Sequence, residues 1–146
     1  MTATLTRYVA FLLLPALVLF ALWVSLFMYR PDYIGHTLAG YGGTLCALAA
    51  AALFVRLEPD EGTAAIVFLQ TALLCILLGA VAEATVFRLA IFDPIDFCLQ
   101  SFGAVFAAYG AILGQRWREP SSRVIAVMFA QGGLFLTLGM YYAFFV

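Results

Sequence analysis

The sequence predicts an all-α, polytopic bundle of about five membrane-spanning helices, and three observations lead there. The chain is 66% hydrophobic and 10% charged, with a mean hydropathy of +1.07. A soluble domain of that composition would leave too much of this surface facing water, whereas a bilayer is its natural solvent. The apolar runs are about 20 residues long, the length that crosses the hydrocarbon at about 1.5 Å per residue. They show no period-two alternation and exceed the roughly 9–11 residues of a barrel strand. A single membrane domain therefore covers residues 1–146.

The first span is read at 8–28, opened by Arg7 and closed by Tyr29, Arg30 and Pro31, with Pro15 inside it as an expected kink that neighbouring helices accommodate. Its apolar run is too long for the h-region of a signal peptide, and no A-x-A cleavage site follows. The second span is read at 36–55, ending at RLEPDEG. The third, 63–91, is long enough to cross with tilt. The fourth, 97–114, is the shortest and the fifth is 124–145.

Orientation follows from arginines in the short loops, since the chain has no lysine. A cytoplasmic N-terminus puts Arg7, Arg56, Arg116, Arg118 and Arg123 inside, against Arg30 and Arg88 outside. Five against two gives N-in and C-out. The expected location is the cell membrane, as a multi-pass protein of the bacterial cytoplasmic membrane. Tyr8, Tyr29, Tyr33, Trp117, Tyr141 and Tyr142 suit interface belts. No basic stripe suggests nucleic acid. Cys46, Cys75 and Cys98 sit among apolar residues at no metal-like spacing and read as small buried hydrophobes. His36 is the only histidine, which argues against structural zinc or bis-histidine haem, so no metal site and no cofactor is assigned.

The polar residues that remain converge by topology. The first loop leads into Asp32 and His36, and the third carries Arg88, Asp93 and Asp96 to the same side, with Glu83 at least one turn inside the third apolar run. Asp32 and His36 are four apart and share a helix face, although Asp32 is also placed to cap that helix. Asp96, Gln100, Gly103 and Ala107 form one stripe, polar first and then small, along which another helix can come close. Asp93 and Asp96 bracket Pro94, so one of them is expected to cap the fourth helix. Glu83 needs Arg88, His36 or a water-filled pocket, and Gly79 one turn earlier leaves room beside it. The candidate polar pocket is thus Asp32, His36, Glu83, Arg88, Asp93, Asp96 and Gln100. A structural network pinning helices, a ligand site and an acid–base site all fit those residues. A divalent metal held by His36 and carboxylates has thin support from one histidine.

At these positions the chain resembles the VanZ-like family of small membrane proteins. The family's Asp-Lys-x-x-His start of the second span stands here as Asp32-Tyr33-Ile34-Gly35-His36, without the lysine, and Tyr41 follows. Its Glu…Arg…Asp-x-x-Asp-x-x-x-Asn-x-x-Gly segment stands as Glu83, Arg88, Asp93-Pro94-Ile95-Asp96, Gln100 and Gly103, with glutamine for asparagine. Val86 replaces the family's glutamine, and Arg88 lies closer to Glu83 than in the family pattern. The two motifs cover about a third of the chain. The resemblance implies a helical bundle with its polar residues on the outer face, engaging an envelope component such as a lipid headgroup or cell-wall precursor. It also implies a link to glycopeptide-antibiotic (teicoplanin) tolerance. Neither residues nor resemblance settles whether a bond is made or broken. The rival reading is a non-enzymatic accessory or assembly subunit of a larger membrane complex, suggested by the dense small residues and the absence of a soluble domain. A transporter fits less well, because no internal repeat or paired broken helices appear.

Overall fold

The computed structural model describes residues 3–54, 61–85, 93–114 and 121–146. Arg56, Arg88, Arg116, Trp117 and Arg118, used above for orientation, pairing and interface belts, lie outside the described residues. Five helices form the bundle: α1 Ala3–Leu26, α2 Pro31–Phe54, α3 Glu61–Thr85, α4 Pro94–Gly114 and α5 Ser122–Phe145. The stretches Ala3–Leu26, Gly62–Thr85, Pro94–Gly114 and Ser122–Phe145 are long and apolar enough to cross a membrane. α2 matches them in length, at 24 residues, but spends its sequence on glycine, alanine and threonine because it is the helix the others surround.

Helix boundaries follow from local chemistry. α1 stops where Phe27 leaves helical geometry (φ -119°, ψ 28°), and Pro31 opens α2 at a position where its missing N–H costs nothing. α2 therefore starts five residues before its expected span and carries Asp32 and His36 inside its first turns. α3 is helical through Thr85, and the remaining part of the expected third span, 86–91, is outside the described residues. Asp93 caps α4, its Oδ1 accepting from the Ile95 N–H at 2.8 Å. Ser121 caps α5, its hydroxyl accepting from Val124 at 3.4 Å. In α1 the proline acts through a π-helical turn, Val9–Leu13, in which the Leu14 N–H reaches back to the Val9 carbonyl. The widened turn absorbs Pro15, which has no N–H to give.

Small side chains are inside and large ones outside. Ala49, Ala52, Ala64, Ala72, Ala104, Ala107, Ala108 and Ala111 are buried, whereas Leu69, Leu73, Leu74, Leu77 and Leu78 on α3 are more than half exposed. In water this would be an aggregation hazard; in lipid it is the expected partition, since tails are as apolar as leucine and packing favours small residues. Cys98 belongs to the outer class, exposed rather than buried as expected, while Cys46 and Cys75 are half-buried.

α2 packs most extensively on α5 and then on α4. Its contact with α5 runs along Gly35, Ala39, Gly42 and Cys46, against Gly132, Leu136, Gly139 and Ala143. A β-carbon at Gly139 would lie 2.7 Å from the Gly35 carbonyl oxygen, and one at Gly42 would lie 2.5 Å from the Gly132 carbonyl oxygen. Backbones this close exchange Cα–H···O contacts and maximise dispersion. Toward α4 the same holds for Gly40 against the Gln100 backbone and Gly103 against Thr37 and Tyr41. The small stripe headed by Asp96 thus does bring a helix close, and the helix is α2.

Gly139→Ala should therefore destabilise the detergent-solubilised protein by about 1–3 kcal/mol, because backbone rather than a flexible side chain must yield. Gly133→Ala is the control, since no atom lies within 4 Å of its β-carbon position. Unfolding in mixed micelles checks the pair, and equal losses for both would refute this account of the α2–α5 seam.

Candidate functional site

Three helices deliver polar side chains to the end of the bundle where α2 and α4 begin and α3 ends. From α2 comes His36, whose Nε2 lies 3.5 Å from Asp96 Oδ2 on α4, with the two side chains only 16% and 15% exposed. From α3 comes Glu83, 6% exposed. Asp32, Glu83 and Asp93 all lie within electrostatic reach of Asp96. The other carboxylate oxygen of Asp96, Oδ1, is buried and has no hydrogen-bond partner among the described residues. The His36–Asp96 contact carries a full charge pair only when the imidazole is protonated, and the buried free oxygen is an acceptor without a donor among the described residues.

The remaining predicted residues take different places. Asp32 pairs with Arg30 and not with His36: Arg30 Nη2 donates to Asp32 Oδ2 at 2.7 Å and Nε donates to Oδ1 at 3.1 Å. That hydrogen bonding holds the Asp32 carboxyl below its usual pKa and pushes the Arg30 guanidinium up, and Arg30 also lies 3.8 Å over the Tyr33 ring. The pair is solvent-side, with 41% and 36% of the two side chains exposed, so it adds little to stability. Asp93 is spent on its cap. Gln100 fills the notch at Gly79, its carboxamide carbon 2.6 Å from where a β-carbon would stand. The room expected beside Glu83 is thus occupied, and Gln100 fastens α4 to α3. Arg88 is outside the described residues. Of seven candidates, the structure brings His36, Glu83, Asp96 and Gln100 to one three-helix junction, with Asp32 and Asp93 at its rim.

A second polar group went unnoticed in the sequence. Tyr8 of α1 donates its hydroxyl hydrogen to Gln131 Oε1 on α5, and Gln131 Nε2 donates to the Tyr41 hydroxyl of α2 at 2.8 Å. All three are buried. The sequence places Tyr8 in an interface belt, but the structure buries it against Gln131; the signal available was Gln131 itself, an amide in the middle of an apolar run.

The cleft with defined walls lies elsewhere, between α1 and the α2–α4–α5 face. Ala16, Phe20, Trp23, Thr37, Tyr41 and Phe106 are among its lining residues, and its volume is about 20 Å³ as the helices stand. It is mostly apolar; the buried Thr37 hydroxyl accepts from Trp23 Nε1 at 2.7 Å and donates to the Tyr33 carbonyl at 3.1 Å, and the Tyr41 hydroxyl accepts from Gln131.

No family model, no curated protein and no solved structure matches the chain.

Tyr8→Phe leaves Gln131 Oε1 without its donor inside the bundle and should cost about 0.6 kcal/mol, up to about 1.7. Gln131→Leu also removes the bond to Tyr41, so combined with Tyr8→Phe it should cost less than the sum of the two single losses, and a double-mutant cycle in micelles reads the coupling. Asp32 gives a pH test with a definite sign. Its pKa is depressed in the folded protein, so its contribution is present above the unfolded carboxylate value and disappears as pH falls through the folded one. Arg30→Gln should lower stability only slightly at pH 7, because the pair is screened by solvent. That small difference from the parent should vanish on acidification, and a difference that grows instead would refute the assignment.

Proposed function

We propose that this chain is a VanZ-like integral membrane protein of the cytoplasmic membrane. It crosses five times with the N-terminus inside, and its outward-facing polar junction engages an envelope component, either a lipid headgroup or a cell-wall precursor. A contribution to glycopeptide tolerance belongs to this reading. The positive-inside count supports the orientation, and the two motifs at Asp32–His36 and Glu83–Gly103 support the family.

The observation that carries the proposal is the contrast between interfaces. Elsewhere the bundle is sealed by small residues and by the uncharged Tyr8–Gln131–Tyr41 chain, yet at one end three helices converge on the ionisable His36, Glu83 and Asp96, with Asp96 Oδ1 buried and unpartnered among the described residues. A carboxylate at the centre of a span costs about 2.5–3.5 kcal/mol on insertion scales, less near its end. Packing alone gives no return for that cost, whereas a bound polar group completing the junction does.

One observation favours a second reading, an accessory subunit of a larger membrane complex. Ala126, Ala130, Gly133 and Thr137 form a stripe of small residues on the lipid side of α5, the kind of surface on which another helix seats.

Glu83→Gln and Asp96→Asn decide between ligand and structure. In nanodiscs carrying extracted bacterial lipid, native mass spectrometry of the wild type should show a retained polar lipid or lipid-linked precursor. Each variant should lose at least tenfold of that occupancy while its Tm stays within a few degrees. An empty wild type, or losses that track Tm, would leave the junction purely structural. Stoichiometric copurification of another membrane protein in mild detergent would favour the subunit.

A further inference from the structure

We propose that the half of α1 beyond Pro15 is a lateral gate, and that it admits one hydrocarbon chain of a membrane phospholipid to the cleft behind it, with the lipid phosphate at Arg30. The cleft is lined by Thr37, one residue from His36, and Arg30 is bonded to Asp32 at the rim of the His36–Asp96 junction, but the chain site is read from its own contacts and not from those of His36, Glu83 or Asp96.

The two halves of α1 are held differently. Before the proline, the contact is backbone-close and polar: Tyr8 is bonded to Gln131, and a β-carbon at Gly110 of α4 would stand 2.6 Å from the Leu12 side chain and 3.0 Å from the Phe11 carbonyl oxygen. Beyond the proline, α1 is held off its neighbours by rings. Phe20 meets Phe135 edge-on at 6.4 Å, Trp23 stacks on Phe102 at 5.7 Å, and one side-chain hydrogen bond, Trp23 to Thr37, crosses the gap. The π-turn Val9–Leu13 belongs to the held half, which packs through Phe11 and Leu12, and Pro15 directly after it marks the joint, proline and π-turns being devices that bend helices. A helix fixed at one end, jointed in the middle and resting on rings at the other can swing.

The cleft specifies its occupant. Its walls are mostly aliphatic and aromatic, the Thr37 hydroxyl is paired both as acceptor and as donor, and the Tyr41 hydroxyl is engaged by Gln131, so the lining favours an apolar occupant. Leu17, Val18, Leu22 and Leu26, on the outer side of the same half-helix, are exposed and face what surrounds the bundle, so the molecules that meet the gate are lipids. From the cleft, rings lead to a cation at the bundle end. Trp23 is 5.2 Å from Phe27, Phe27 is 5.9 Å from Tyr33, and the Arg30 guanidinium lies over Tyr33 with 41% of its side chain exposed. Arginine at headgroup level is the complement of a phosphate, and its planar fork can hold Asp32 on one edge and an anion on another.

The two tryptophans make the test direct. A Trp117→Phe background leaves Trp23 as the sole indole, and nanodiscs containing phospholipid brominated along the chain quench it where chains approach. The expected result is quenching at least twofold above that of Ala16→Leu, which fills the cleft, and a comparable reduction in Pro15→Ala, which stiffens the joint. Arg30→Gln should abolish the preference for anionic over neutral brominated lipid. Circular dichroism and gel filtration establish that each variant is folded; if Ala16→Leu is not, Pro15→Ala alone decides. Equal quenching in the parent and the folded cleft and joint variants, rising only with bulk bromolipid, overturns the gate. An anionic preference that survives Arg30→Gln overturns the phosphate site.

Discussion

Backbone contact between α2 and its two large neighbours is the constraint on which the structure depends. Gly35, Gly42, Gly132 and Gly139 remove the side chains that would hold α2 and α5 apart, and Gly40 and Gly103 do the same for α2 and α4. With no water to expel between helices, attraction comes from close dispersion and weak backbone contacts, and both fall off steeply with distance. Every polar arrangement described above is registered against that seam. His36 reaches Asp96 because Gly103 sets α4 against Thr37 and Tyr41, and Gln131 reaches Tyr41 because Gly132 sets α5 against Gly42.

Polar groups within this bundle fall into two energetic kinds. The Tyr8–Gln131–Tyr41 chain is saturated where its bonds are seen, and it fastens three helices without net charge. The junction at His36, Glu83 and Asp96 is ionisable and incomplete, with one carboxylate oxygen left over. The first arrangement is what structure requires of buried amides and hydroxyls, and the second leaves binding capacity unused. Gln100, next to the second, is uncharged, and its carboxamide packs into the notch at Gly79.

Length and hydropathy made the helices legible, because a bilayer imposes one thickness on every span. The Asp96–Gln100–Gly103–Ala107 stripe was equally legible, since helical spacing alone puts those residues on one face, and Gly103 does meet α2. Rotamer choice and partner selection were not. Spacing allowed Asp32 to face His36, but Arg30, two residues earlier, offers a planar fork at 2.7 Å and takes it. Gly79 announced a space without saying which side chain would fill it. Trp23, Phe20 and Phe106 read as anonymous apolar residues, and only their packing reveals that they keep α1 at a distance.

The bond between Tyr8 and Gln131 also sets an order of assembly. It joins residues 123 apart, from the first helix to the last. At about 5–20 residues per second of synthesis, Tyr8 waits on the order of ten seconds for its acceptor to be made. Through that interval the glycine seam of α2 lacks its α5 partner and the Tyr8 and Tyr41 hydroxyls lack Gln131. The arrival of α5 closes both at once, so the fifth of the described helices is the one that fastens the first.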